Sequence, residues 1–288
     1  MGENDGYMVV GLDGSSGSAR ALRWAQAHVE VFGTIQPVAS WQYPWWAMTP
    51  TAPGSPLPPS DSEFHDDAER KLTQMVERVP PADLREPLVV HGPAGQTLVD
   101  LGRDAALIVV GSRGRGVVAA GVLGSVGLHC VNHATVPVAV VPADAEVGSR
   151  FATVVVGVDG SDHAVDALAF VLRHATADTD IEVVYAWNPE ASTVAGVASV
   201  AREELAAQAE GLATETVEKA RTAAGGTDVV VRVVAPTGDP RTMLREAAAD
   251  ADLLVVGARG RQRVAYLLLG SVASALTNNP PTTTIVVR

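Results

Sequence analysis

The residues whose spacing best supports chemistry in this sequence are glycines and serines. Gly111-Ser112-Arg113-Gly114 is followed, nine residues on, by Gly124-Ser125; Gly257-Ala258-Arg259-Gly260 is followed, nine residues on, by Gly270-Ser271. Glycine permits φ > 0 and lets backbone come close to a ligand. Gly124-Ser125 and Gly270-Ser271 each open a helical stretch, and the N–H groups and dipole of a helix start favour an anion. A strand end, a glycine turn and a helix start together make a phosphate cradle built mainly from backbone donors. Ser125 and Ser271 can add a hydroxyl. Arg113, Arg115, Arg259 and Arg261 either pair with phosphate or stand solvated. Lysine cannot supply that charge, because Lys71 and Lys219 are the only two in the chain. Asp13 and Asp159, each in Asp-Gly-Ser before a helix, suit either a ligand or a helix N-cap, although the neighbouring serines can cap instead. His129 and His133 stand four apart, but a third metal ligand is missing, which makes them surface histidines. Cys130 reads as a small buried hydrophobe.

These residues recur because the chain is a repeat. Val9-Val10-Gly11-Leu12-Asp13-Gly14-Ser15 returns as Val155-Val156-Gly157-Val158-Asp159-Gly160-Ser161, an offset of 146. The same offset relates Leu107–Gly111 to Leu253–Gly257, Trp41 to Trp187, and Leu123-Gly124-Ser125-Val126 to Leu269-Gly270-Ser271-Val272. Two copies of one domain follow, over residues 1–146 and 147–288.

Within each copy apolar strands alternate with amphipathic helices. Copy one shows strands at Met8–Leu12, Ile35–Ser40, Leu88–His91, Leu107–Gly111 and Val136–Val141. One helix is expected over Ser18–Phe32, and others over Asp61–Val79, Gln96–Arg103 and Ser125–His133. Copy two shows strands at Thr153–Val158, Ile181–Ala186, Val229–Val234, Leu253–Gly257 and Thr283–Val287. Strict alternation of this kind means an α/β fold: two tandem doubly wound domains, each a parallel sheet with helices on both faces. Ligands of such sheets bind beyond the carboxyl ends of the strands, where the winding reverses, so the segments after Leu12 and after Val110 should form the site. Between the second strand and the next helix of copy one lies a Pro-rich stretch carrying Trp41, Tyr43, Trp45, Trp46 and Met48. It is either a surface for a protein partner or a loop folded over its own apolar edge.

Composition removes several classes of function. The formal net charge of -12 opposes nucleic acid as a partner. The runs 116–143 and 264–287 hold no Asp, Glu, Lys or Arg, but His129, Asn132, His133 and Pro137 interrupt the first, and Asn278, Asn279, Pro280 and Pro281 the second. Each therefore reads as helix, turn and strand, and no membrane association is expected. The N-terminus lacks the features of a secretory signal, and one cysteine suits a reducing cytoplasm.

With Gly-x-x-Gly, nine residues and Gly-Ser after a βαβ core, and a Val-Gly-x-Asp-Gly-Ser start, the sequence resembles the ATP-binding branch of the universal stress proteins. The resemblance covers residues 7–141 and 153–288, and the tandem arrangement is similar to two-domain members found in actinobacteria. It implies five-stranded parallel sheets of order 3-2-1-4-5. It also implies ATP, with Mg²⁺ held by the phosphates and one carboxylate. Asp13 and Asp159 would lie at the pocket floor, and Ser40 and Ala186 would meet adenine through backbone groups. Gly111, Gly114, Gly124 and Ser125, with Gly257, Gly260, Gly270 and Ser271, would surround ribose and phosphates, and Val126 and Val272 would add backbone contacts. The two halves would pair through their fifth strands and chains would form homodimers. Copy two departs at the entry to its fifth strand. It has Asn278-Asn279-Pro280-Pro281 where copy one has His133-Ala134-Thr135-Val136-Pro137, which leaves the glycine cradle intact, counts against strand-five contacts there and, if only one site works, makes the second the weaker.

Binding is better supported than turnover. No Walker lysine, His-Arg-Asp loop or in-line general base is present, and backbone donors hold ATP without activating water. A nucleotide-gated regulator of stress response or growth is the first reading. A slow ATPase, an autokinase or nucleotidyl transferase using Asp13 or Asp159 with Ser125 or Ser271, and an interaction scaffold with vestigial pockets are the competitors.

Overall fold

Runs of Val, Ile and Leu too short for helices form the strands, and within each half the first four strands are each followed by a helix. In a computed structural model of the chain, residues 6–43, 60–114, 122–145, 147–148, 151–188, 199–260 and 269–288 are described. The first half contains β1 (Tyr7–Gly11), α1 (Ser16–Ala27), α2 (Val29–Phe32), β2 (Thr34–Trp41), α3 (Asp61–Val76), β3 (Leu88–His91), α4 (Ala94–Leu101), β4 (Leu107–Gly111), α5 (Ser125–His133) and β5 (Val138–Val141). The second contains β6 (Thr153–Gly157), α6 (Asp162–His174), β7 (Asp180–Val184), α7 (Ser199–Ala223), β8 (Val231–Val234), α8 (Pro240–Ala247), β9 (Leu253–Gly257), α9 (Ser271–Asn278) and β10 (Thr283–Val287).

The strands form one ten-stranded sheet in the order β3-β2-β1-β4-β5-β10-β9-β6-β7-β8. Each half is a parallel five-stranded sheet of order 3-2-1-4-5, and the halves meet where β10 pairs with β5 antiparallel, with Thr284 opposite Val140 and Val286 opposite Val138. Pairing of the halves through their fifth strands, which the resemblance implies, is thus present, and Asn278-Asn279-Pro280-Pro281 does not count against it. Pro280 and Pro281 precede the ladder, which begins at Thr283, so no proline occupies a hydrogen-bonding position. Arg245 of α8 holds the preceding turn, donating to the Asn279 carbonyl at 2.6 Å. At the other end of β10, Arg288 donates to the carbonyls of Val131 and Asn132 at the end of α5.

The single helix expected over Ser18–Phe32 is corrected. It breaks at His28, whose backbone leaves the helical region at φ -122°. The imidazole Nδ1 donates to the Trp24 carbonyl at 2.7 Å, and the His28 backbone N–H turns to Ala25 instead. The ring takes the acceptor that would have continued the helix, and α2 restarts at Val29.

That ring lies in an aromatic seam between the halves. His28 is 2% exposed and stacks on Trp24 and on Phe151, each at 4.4 Å between centroids. Phe32 of α2 stacks on Phe170 of α6 at 5.9 Å. Burial pulls the His28 pKa below its ordinary 6.5, more than the Trp24 bond and nearby Asp252 raise it. The folded chain thus binds this proton less well than the unfolded chain. Its stabilising contribution is complete above pH 6.5 and is lost as pH falls below that, by up to about 1.4 kcal/mol per pH unit. Denaturant midpoints from pH 7.5 to 5.5 should fall more steeply for the wild type than for His28→Phe, which keeps the stacking and cannot titrate. Parallel acid limbs would show that His28 does not carry the effect.

Candidate functional site

Two crevices open beyond the carboxyl ends of the strands, one in each half, where the winding reverses between β1 and β4 and between β6 and β9. Their volumes are about 340 Å³ in the first half and about 570 Å³ in the second, within the range of small-molecule sites. Asp13, Ser40, Gly111, Gly114, Gly124, Ser125 and Val126 all line the first; Asp159, Ala186, Gly257, Gly260, Gly270, Ser271 and Val272 all line the second. The structure brings together the aspartates, glycines and serines picked out by spacing and the further residues that the resemblance implies. Arg113 and Arg259 line the crevices too; Arg115 and Arg261 lie outside the described residues.

The helices that border each crevice start in two different ways. Ser15 caps α1, accepting from the Ser18 N–H at 3.1 Å, and Ser161 caps α6, accepting from Ala164 at 3.3 Å. The serines are the caps, as their position allows. By contrast α5 and α9 begin at Gly124 and Gly270, and neither has a side-chain cap. Their first N–H groups belong to the set that a helix leaves without an intrahelical acceptor. Each of these starts is anchored to the loop after the fourth strand, with Gly124 N–H bonded to the Ser112 carbonyl at 3.0 Å and Gly270 N–H to Ala258 at 2.8 Å. Val126 and Val272 are the second residues of these helices, so their N–H groups belong to the same set.

Asp13 and Asp159 are each bonded locally through Oδ1. Oδ1 accepts from Ser15 N–H at 2.9 Å and from Ser161 N–H at 3.0 Å, while glycine at φ 79° and 80° turns the chain between them. Oδ2 points across the crevice to the glycine loop. A Cβ on Gly114 would lie 2.8 Å from Asp13 Oδ2, and one on Gly260 2.5 Å from Asp159 Oδ2. Glycine at these two positions makes room for the carboxylate. A carboxylate oxygen is a donor of the hard type that Mg²⁺ takes, and on donor chemistry the site fits that ion.

The glycines differ in why they are glycine. Gly111 and Gly257 pack against the first turns of α1 and α6, where a Cβ would meet Gly17 C and His163 O, each at 2.6 Å. Tight strand–helix packing requires them whether or not a ligand is present. Gly124 and Gly270 have φ of -61° and -69°, so positive φ does not explain them. A Cβ on Gly270 would touch Ala258 O, Arg259 Cα and Gly260 N at 3.4–3.6 Å, ordinary contact distances.

Spacing missed part of each wall. Ala94 and Leu98 of α4, and Pro240 and Leu244 of α8, close the apolar side. Asp239-Pro240 was a readable signal, since Asp239 caps α8 by accepting from Arg241 N–H at 2.8 Å. Other candidates stay outside both crevices. His129 and His133 stack on each other at 4.2 Å. Among the described residues the grouping able to hold a metal is His65, Asp66 and Glu69 on α3. Cys130 is buried, and burial pushes its thiol up to about 12, which suits a hydrophobe and not a nucleophile. Trp41 packs on His91 and His65, and Tyr43 on Phe64. Trp45, Trp46 and Met48 lie outside the described residues. No helix among the described residues is long and apolar enough to cross a membrane.

Comparison with known proteins places this geometry. A model of the Universal stress protein family matches residues 7–142 and again 150–288. Universal stress protein Rv2623 of Mycobacterium tuberculosis is 32% identical over 292 residues, covering 98% of this chain and 96% of the relative. Universal stress protein Rv2005c of the same organism is 30% identical over 298 residues, with the same coverage. Among solved structures, a universal stress protein from Archaeoglobus fulgidus superposes with a TM-score of 0.62 at 20% identity, covering 98% of this chain and 96% of that one, a likeness of fold. The chain belongs to the universal stress protein family and carries the family domain twice.

Proposed function

We propose that the chain is an ATP-binding regulator with one nucleotide site in each half, the halves dividing near residue 146. The observation that carries this reading is the pair of helix starts at Gly124 and Gly270. Both lack a side-chain cap, both are tied to a glycine loop, and each lines a crevice together with an aspartate. Triphosphate would lie against the N–H groups of α5 and α9, with Ser125 and Ser271 adding hydroxyl donors. Mg²⁺, when bound, would neutralise phosphate charge, and Asp13 Oδ2 and Asp159 Oδ2 are the protein oxygens suited to hold it. Ribose would pass Gly111 and Gly114, or Gly257 and Gly260.

The base would meet the end of the second strand. Backbone groups alternate sides along a strand. Trp41 O accepts from Gly92 N–H, and Trp187 N–H donates to Pro236, so both tryptophans turn their backbone groups outward. Those of Ser40 and Ala186 accordingly turn inward, beyond the ends of β1 and β6, where a purine edge can pair with them. Such edges read adenine where a phosphate cradle reads only phosphate, so ATP should bind more tightly than GTP. Ranking the second site as the weaker loses its basis, because β10 is formed and paired.

Titration calorimetry should saturate at two ATP per chain; saturation at one would remove the claim of two working sites. Mass spectrometry of natively purified chain separates a regulator from a slow ATPase or autokinase: bound ATP intact after long incubation supports the regulator, and accumulating ADP or a phosphorylated chain supports the enzyme. The chain is further proposed to work in the cytoplasm as a homodimer. Its fifth strands are already paired with each other, so a second chain would have to use another surface.

A further inference from the structure

Most lining residues of the two crevices match at the offset of 146, but at two positions a serine of the first stands where the second has alanine: Ser18 against Ala164, and, at the end of the second strand, Ser40 against Ala186. The Ser40 hydroxyl is already committed, donating to the Gly92 carbonyl in a short hydrogen bond. A hydroxyl has one hydrogen and two lone pairs, so what Ser40 Oγ can offer a ligand is an acceptor. Val38 and Ser40 are two apart on β2 and share a face of the sheet. The wall around Ser40 is otherwise apolar there, made by Val38, Ala94 and Leu98. The matching wall in the second half is Val184, Ala186, Pro240 and Leu244 and has no hydroxyl.

We infer that Ser40 Oγ is a specificity-determining acceptor that makes the first site select a purine with a 6-amino group against one with a 6-oxo group, and that the second site lacks this filter. The inference rests on the reading that the base sits at the end of the second strand. A 6-amino group donates to Oγ. A 6-oxo group sets acceptor against acceptor, and the hydroxyl cannot rotate to help without leaving Gly92 unpaired. Such a mismatch discriminates through the polar group it leaves unsatisfied. Ala186 is indifferent to either substituent. The site can be transplanted, because Gly238 is held as Gly92 is: Gly92 N–H bonds Trp41 O and Gly238 N–H bonds Trp187 O, both at 2.9 Å. A serine at 186 would therefore find the same carbonyl.

The test is calorimetric titration of the full chain with ATP and with ITP, in Mg²⁺, for the wild type, Ser40→Ala and Ala186→Ser. ITP carries a 6-oxo group and an N1–H where adenine has a 6-amino group and a bare N1. Backbone groups at both sites read that difference, and only Ser40 adds to it. Ser40→Ala should lower the ATP-over-ITP preference of one site about tenfold, the size of one hydrogen bond. Ala186→Ser should raise that of the other site by a similar factor. Unchanged ratios in both variants, with ATP still bound at both sites, would overturn the inference. A wild-type chain that binds neither nucleotide overturns the ATP reading beneath it. If Ser40→Ala does not fold, Ala186→Ser decides alone.

Discussion

Combining Gly124→Ala with Gly270→Ala should abolish most ATP binding and leave the fold intact. Both glycines lie at negative φ, where alanine is not strained. At Gly270 the new Cβ would meet protein atoms only at ordinary contact distance. At Gly270 the protein alone therefore tolerates the methyl group. It projects at the start of the helix, where phosphate oxygens must come within hydrogen-bonding distance of backbone N–H groups. Alanine is a poorer N-cap than glycine, so each change should cost up to about 1 kcal/mol, or about 2–4 °C in a chain of this size. Gly124→Ala alone should weaken the first site and leave the second nearly unchanged, and Gly270→Ala should do the reverse. The measurement is ATP titration beside thermal melting without ligand. A double variant that melts normally and binds ATP at wild-type affinity would show the phosphate assignment to be wrong. One that does not fold would show that the glycines serve structure.

The placement of both crevices was legible because the repeat keeps one register. Asp13, Gly114 and Gly124 are far apart in sequence, yet the alternation of strand and helix sends each of their segments to the same end of the sheet. Capping was legible too, since Ser15 and Ser161 stand where N-cap serines belong and take that role. What spacing could not separate is the reason for each glycine. Gly111 exists for the backbone of Gly17, Gly114 for the carboxylate of Asp13, and Gly270 for neither crowding nor positive φ. Those distinctions depend on partners distant in sequence. The break at His28 was invisible for a similar reason, because a periodic apolar stripe carries no sign that a side chain will capture the Trp24 carbonyl. Pro280 and Pro281 misled in the opposite sense: a proline cannot donate to a ladder, but the ladder starts two residues later. The partner of Phe151 was also hidden, since a single aromatic at the end of a linker says nothing of the helix it will reach.

Trp24→Ala should be the most destabilising single change in the seam between the halves. Trp24 is 2% exposed and its ring contacts come from both sides of the repeat: His28 and Phe32 from the first half, Phe151 from the start of the second. Removing a buried tryptophan ring costs roughly 3–5 kcal/mol, through lost burial and the cavity left behind, equivalent to a fall of roughly 10 °C. The manner of unfolding matters as much as the size. The two halves share the β5–β10 ladder, and one continuous apolar cluster runs from Met8 and Trp24 to Phe170 and Val255 on a single face of the sheet. Neither half can lose this seam without exposing apolar surface of the other, so the wild type should melt in one calorimetric transition, and Trp24→Ala should move that whole transition downward. ATP titration well below the new midpoint should still find both sites, because Trp24 lines neither crevice. Two resolved transitions, with only the lower one moved by Trp24→Ala, would mean that the halves are stable independently and that the aromatic seam joins them without coupling them.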